Sequence, residues 1–219
     1  MIDHLVYAHP HVDEYVDIFE SQCGIRPRFG GSHPGGGTKN YILPLVSPDE
    51  GPCYLEFIGP DENQPDADPE ESMFGLLKDG LDFAPRLLTF AIHPQDIDHV
   101  AAAGRAAGYD FAHPTSASRF TARGQILRWR YAVAEPLPFD GLQPFLIDWG
   151  ATPHPGQLTE EVPPEERLYL LQLDAEHPQD GELTSLYSWL GLRHCLAFPG
   201  EHPRLIAHFA CARGPFDLS

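Results

Sequence analysis

Three apolar runs recur along the chain and end in the same dipeptide: IDHLVYAHP, RLLTFAIHP and RLYLLQLDAEHP. Their histidines, His9, His93 and His177, are 84 residues apart each time (93 − 9 and 177 − 93). Each run has the length and composition of a strand, and a helical pattern follows it. Val12, Tyr15, Val16 and Phe19 fall at offsets 0, 3, 4 and 7. Ile97, Val100, Ala101 and Gly104 repeat those offsets, and so do Leu183, Leu186, Tyr187 and Leu190. Gly24, Gly108 and Gly191 follow as helix stops, because glycine enters the left-handed conformation that ends a helix. Further strands are predicted at Lys39–Val46 and Cys53–Ile58, then at Gln125–Ala134 and Phe145–Trp149. In the third unit RHCLAF and RLIAHFACA are the candidates. Each unit reads β-α-β-β with room for one more short strand.

The units are joined by polar stretches. Asp61–Ser72 holds six acids and no base, and Thr152–Glu166 holds four acids and four prolines. Both read as solvated connections, the first with room for a short helix near Ser72–Lys78. The expected division is a first module over 1–60, an acidic linker over 61–84 and a second module over 85–150. A Pro/Glu-rich linker over 151–166 and a partial third module over 167–219 complete it.

Charge narrows the function classes. The chain has 14 basic and 32 acidic residues, a net charge of −18. That repels nucleic acid and anionic membrane surfaces. With 42% hydrophobic residues, a sizeable core can form. The start, Met1-Ile2-Asp3-His4, carries no basic leader, and no stretch reaches the ~20 apolar residues of a membrane span. Cys23, Cys53, Cys195 and Cys211 lack C-x-x-C spacing and read as reduced core thiols. A cytoplasmic protein is the expectation.

The glycine-rich stretch GGSHPGGGTKN, Gly30–Asn40, raises the question of a nucleotide. A phosphate-binding loop needs Gly-Lys-Ser/Thr, whereas Gly37-Thr38-Lys39 has the reverse order. A strand rather than a helix follows, so no nucleotide cofactor is expected. The glycines permit close approach of backbone to a ligand, with His33, Thr38 and Asn40 as polar groups nearby. A flexible turn is the plainer alternative.

Two strands carry a carboxylate inside an apolar run: Glu56 in YLEFIG and Asp148 in LIDWG. Burying either costs free energy unless a cation or hydrogen-bond donor meets it. His4 lies in the first apolar run, where a satisfied core histidine is the plainer alternative to a ligand. Arg128 and Arg130 share one face of LRWRYA, opposite Trp129. They would grip a carboxylate or phosphate, neutralise the two acids, or lie outside.

The strings IDHLVYA, GGSHPGGGTKN, YLEFIGP, LRWRYA and PFLIDWG…HP, over residues 1–155, resemble the glyoxalase-like domain family of the vicinal oxygen chelate superfamily. The resemblance implies an α+β fold of paired β-α-β-β-β modules whose strands form a cupped mixed sheet, with the C-terminal partial third repeat outside. It implies metal ligands at His4, Glu56 and Asp148, holding a divalent ion such as Zn, Ni, Mn or Fe. The position matching His4 in the second unit is Thr89 or Leu88, so three ligands are implied rather than four. Glu56, Asp148 and His33 become the catalytic candidates, and Thr38, Asn40, Arg128, Arg130 and Trp149 the substrate-binding ones. The implied activity is a metal-dependent lyase or isomerase for a small oxygenated metabolite. The alternative is a metal-free protein that sequesters a small molecule, as the drug-resistance members do. Superfamily members often pair modules between chains, so a homodimer stands beside a site within one chain.

Overall fold

The computed structural model describes residues 1–49, 51–120, 126–158 and 162–219. The first unit is β1 (Ile2–Ala8), α1 (Val12–Cys23), β2 (Arg28–His33), β3 (Thr38–Val46) and β4 (Cys53–Pro60). The second is β5 (Arg86–Ile92), α2 (Ile97–Ala106), β6 (Thr115–Phe120), β7 (Ile126–Ala132) and β8 (Phe145–Asp148). The third is β9 (Leu168–His177), α3 (Asp180–Leu190), β10 (Cys195–Pro199), β11 (Arg204–Cys211) and β12 (Gly214–Leu218). The fold is thus α+β, with three helices on one mixed sheet of 12 strands. Strands β2, β6 and β12 had no explicit prediction, and Gln125 lies outside the described residues.

In each of the first two units the last strand lies parallel beside the first, β4 on β1 and β8 on β5. The units join through antiparallel β1 and β5. The third unit departs from this pattern, because β9 takes β10 and β11 as neighbours. It joins the sheet along β3, with Leu45 opposite Leu168. Its Leu173, Leu205 and Phe209 share one core with Phe19, Phe57 and Phe90. The third repeat therefore seals the helix-bearing face of the sheet and leaves the other face to the site.

Local chemistry explains the helices. On α1, Val12, Val16, Phe19 and Cys23 are buried, and Gly24 ends the helix at φ +82° with its N–H on the Glu20 carbonyl. Asp96 caps α2 by accepting from the His99 N–H at 2.9 Å. Asp13 ties α1 to β3 by accepting from Lys39 Nζ and the Tyr41 hydroxyl, each at 2.6 Å. Cys23, Cys53 and Cys195 are buried free thiols, and burial pushes their pKa values up. No helix among the described residues is long and apolar enough to cross a membrane.

The histidines of the His-Pro pairs do turn-forming work. His9 Nδ1 accepts the His11 N–H at 3.0 Å, and His177 Nδ1 accepts the Gln179 N–H at 2.9 Å. His93 instead places Nδ1 3.9 Å from Asp3 Oδ2.

His208 on β11 stands between Asp217 at 2.8 Å and Asp174 at 3.0 Å. Burial lowers its pKa, but bonds to these two carboxylates outweigh burial and raise it above the ordinary 6.5. A raised histidine pKa stabilises the fold fully below pH 6.5, and that stability is lost as pH rises through the folded value. His208→Gln is therefore expected to remove a fall in thermal midpoint between about pH 6 and 8. Melting curves across that range check it, and an unchanged pH profile in the variant contradicts it.

Candidate functional site

On the face away from the helices, the first two units curve around a cavity. Strand alternation decides what enters it. His4 on β1 lies beside Tyr54 of β4, and Val6 beside Glu56, so Tyr54 and Glu56 share the cavity face with His4. Phe145 and Ile147 enter from β8, Trp149 from the residue after it, and Trp129 and Tyr131 from β7. The segment after β4 folds across the mouth and contributes Met73 and Phe74. Phe74 takes φ +59°, a costly value for a non-glycine residue, and sets its ring 5.4 Å from that of Phe145. The stretch read as a solvated linker thus supplies part of the wall, with Ser72, Leu76 and Leu77 buried.

The centre of the site is a chain of hydrogen bonds. β1 slips by one residue against β5 between Ile2 and His4, which places Asp3 in a bulge. Alternation is broken there, and Asp3 bonds its own neighbour: Asp3 Oδ1 and His4 Nδ1 are 2.7 Å apart. Trp149 Nε1 donates to both Asp3 oxygens, at 3.3 and 3.1 Å. His154 Nε2 lies 3.0 Å from Asp3 Oδ2. The His154 Nδ1 accepts the Gly156 N–H at 3.0 Å, so its proton sits on Nε2 and is donated to Asp3. Burial works to raise the Asp3 pKa, but the bonds from His154 and His4 prevail and hold the carboxyl well below the usual range. An ionised Asp3 requires the proton of neutral His4 on Nδ1. The lone pair of His4 Nε2 then faces Glu56 Oε2, 3.7 Å away.

Glu56 is fixed from the other side. Asn40 Nδ2 donates to Glu56 Oε1 at 2.5 Å. Asn40 lies flat over Gly30, where an added Cβ would come within 2.3 Å of Asn40 Oδ1. This explains the glycine-rich stretch: it is a hairpin of β2 and β3, bare at Gly30 so that Asn40 can reach the carboxylate. His33 Nε2 is 3.9 Å from Glu56 Oε1, and His33 Nδ1 is 2.8 Å from Thr38 Oγ1. Burial pushes the His33 pKa down and keeps the ring neutral. Arg119 of β6 completes the polar wall and donates from Nη1 to the Gly30 carbonyl, tying the second unit to the first.

The sequence profile of the Glyoxalase-like domain family matches residues 2–191. The chain belongs to that family. No curated protein matches the sequence. Among solved structures, a hypothetical protein from Staphylococcus aureus is similar over 99% of this chain and 84% of its own, with a TM-score of 0.63 and 14% identity. That likeness shows a shared fold that includes the third unit. Methylmalonyl-CoA epimerase of Streptomyces coelicolor, in complex with 2-nitronate-propionyl-CoA, aligns over 71% of this chain and 98% of its own, at TM-score 0.48 and 23% identity. The epimerase from Mycobacterium tuberculosis aligns over 68% and 87%, at 0.43 and 16%.

In this glyoxalase-like chain the residues singled out from sequence divide by strand face. His4, His33, Asn40, Glu56 and Trp149 line the cavity. Thr38 is buried behind it and acts through His33. Asp148 does not join His4 and Glu56. It lies on the outer face opposite Arg130 and accepts the Gly150 N–H at 2.8 Å. Glu56 stands three residues before Gly59 and Asp148 two before Gly150; the odd difference turns Asp148 to the other face. Arg128 and Arg130 are also outside, where Arg130 bonds both oxygens of Asp98 on α2 at 2.7 Å. Asp3, Tyr54, Arg119 and His154 were missed. His154 had one signal, a His-Pro pair inside the string that carried the resemblance.

The metal expectation can be judged on donors. His4 Nε2 and Glu56 Oε2 face each other in the cavity, and Asp3 holds His4 as an outer carboxylate holds a metal-bound histidine. Among the described residues, however, no group of three His, Cys, Asp or Glu side chains is placed to hold a metal ion. A catalytic zinc site keeps about three protein ligands. The expected triad is not assembled, and a pair of donors does not meet that requirement.

Proposed function

We propose that the chain is a lyase or isomerase that moves a proton on a small oxygenated metabolite, with His4 and Glu56 as the acid–base pair. The observation that carries this is the Asp3–His4 pair, 2.7 Å apart, aimed at a second carboxylate from inside an apolar cavity. His4 Nε2 is the base: it accepts a proton from the substrate, and ionised Asp3 stabilises the imidazolium that forms. Glu56, on the same wall, exchanges a proton with the neighbouring substrate atom. Two bases side by side suit a shift between adjacent atoms, or an elimination. Phe74, Trp129, Phe145 and Trp149 keep bulk water from the reacting atoms.

A divalent ion, if held by His4 and Glu56, would add positive charge against a developing enolate. Our expectation is that two donors retain it weakly. Zinc, nickel, manganese or iron added to dialysed protein should be removed by gel filtration, and chelator should leave the thermal midpoint unchanged. Stoichiometric metal that survives filtration, and is lost in both His4→Ala and Glu56→Ala, would instead establish the metal-dependent form.

The second reading is a binding protein without turnover, favoured by the aromatic walls. Deuterium incorporation next to the carbonyl of small oxo compounds separates the two. Protein-dependent incorporation that His4→Gln removes supports the enzyme. Binding with no incorporation across the set supports the binder.

A further inference from the structure

We propose that the cavity takes a small monocarboxylate, its anionic end on Arg119 and its reactive atoms at His4 and Glu56. The first half stands on Arg119 alone, and the second rests on the acid–base reading above. Arg119 is only 6% exposed and lines the cavity with His33 and Glu56. Burial lowers its pKa, while Glu56 and Tyr54 oppose that, and a guanidinium remains charged throughout. Among the described residues no carboxylate lies within 4.0 Å of it. The Gly30 carbonyl takes one donor of a planar fork that carries five. A buried cation with no carboxylate in direct contact is costly, and an arriving anion offsets that cost.

Position supports the same assignment. Arg119 also lines the groove that runs outward past Glu71 and Ser72, so it stands where cavity and groove meet. Glu71 borders that groove together with Glu70 and Glu135, which share the single charge of Lys78, and this net negative border disfavours a phosphate or a dicarboxylate. The aromatic walls suit an apolar tail on the acid. The grip that LRWRYA suggested for Arg128 and Arg130 is thereby supplied from the neighbouring strand β6.

Calorimetry on the full chain with phenylacetate, phenylpyruvate, phenyl phosphate and neutral phenylacetamide tests the proposal. Both carboxylates should bind at least about tenfold more tightly than the amide, as a charge-assisted contact requires. Arg119→Gln should abolish the preference, Arg119→Lys should keep part of it, and Glu56→Gln should keep it. The comparison of acid with amide holds on the unaltered chain even if a variant misfolds. Equal affinities, tighter phenyl phosphate binding, or no saturable binding of either carboxylate overturns the proposal. Carboxylate preference without deuterium incorporation leaves the Arg119 site standing and removes the acid–base reading.

Discussion

Asp3→Ala is expected to destabilise the fold by roughly 3–5 kcal/mol, the range for removing one partner from a buried charged network. The loss is large because Asp3 accepts from three groups at once. His4 Nδ1, Trp149 Nε1 and His154 Nε2 would all be left buried without an acceptor. These donors come from β1, the end of β8 and the chain beyond it, so the damage spreads across both modules. The pH dependence follows from the same bonds. The Asp3 pKa is held below its ordinary 3.8, so its stabilisation is full above that value and is lost as pH falls toward the folded value. Asp3→Asn should flatten this acid limb and force His4 toward the other tautomer. Urea denaturation at neutral pH and below pH 4 measures both effects. A change under about 1 kcal/mol in Asp3→Ala would mean that the three donors find other partners.

Glu56→Gln is expected to lower turnover by about 10²–10⁴-fold, the contribution typical of a positioned acid–base group, with little change in affinity for a carboxylate. Glutamine keeps an oxygen for the Asn40 donor, so the local geometry can survive while the exchangeable charge is gone. Deuterium incorporation next to the carbonyl of a bound oxo acid provides the rate, and calorimetry provides the affinity. A parallel fall in His4→Gln is expected, since in the proposed reaction the two groups, 3.7 Å apart, act on neighbouring substrate atoms. Full exchange in both variants would remove them from the chemistry.

Periodicity determined much of this protein. The three helices, their closing glycines and most strands follow from apolar spacing, because a helix or strand must bury one face whatever surrounds it. The inward placement of His4 and Glu56 came from the family resemblance and not from spacing, because both faces of their strands are buried and apolar neighbours flank them on each side. The face of Asp148 was also written in the chain, in its even distance from Gly150, but chemical likeness to Glu56 hid it. The alternation Arg128-Trp129-Arg130 likewise allowed one kind of residue inside, and Trp129 took that place.

Only the tertiary structure decided the rest. Asp3 reaches His4 because a bulge against β5 interrupts alternation, and a bulge depends on a partner strand 80 or more residues away. His154 meets Asp3 across a separation of 151 residues, from a stretch whose prolines and acids suggested only a solvated joint. Arg119 enters the cavity because β6 pairs with β7 in a register set by neither strand alone. Local sequence specifies which residues face one way along an element. Which elements meet, and therefore which polar groups satisfy one another once water is excluded, is settled by packing between them.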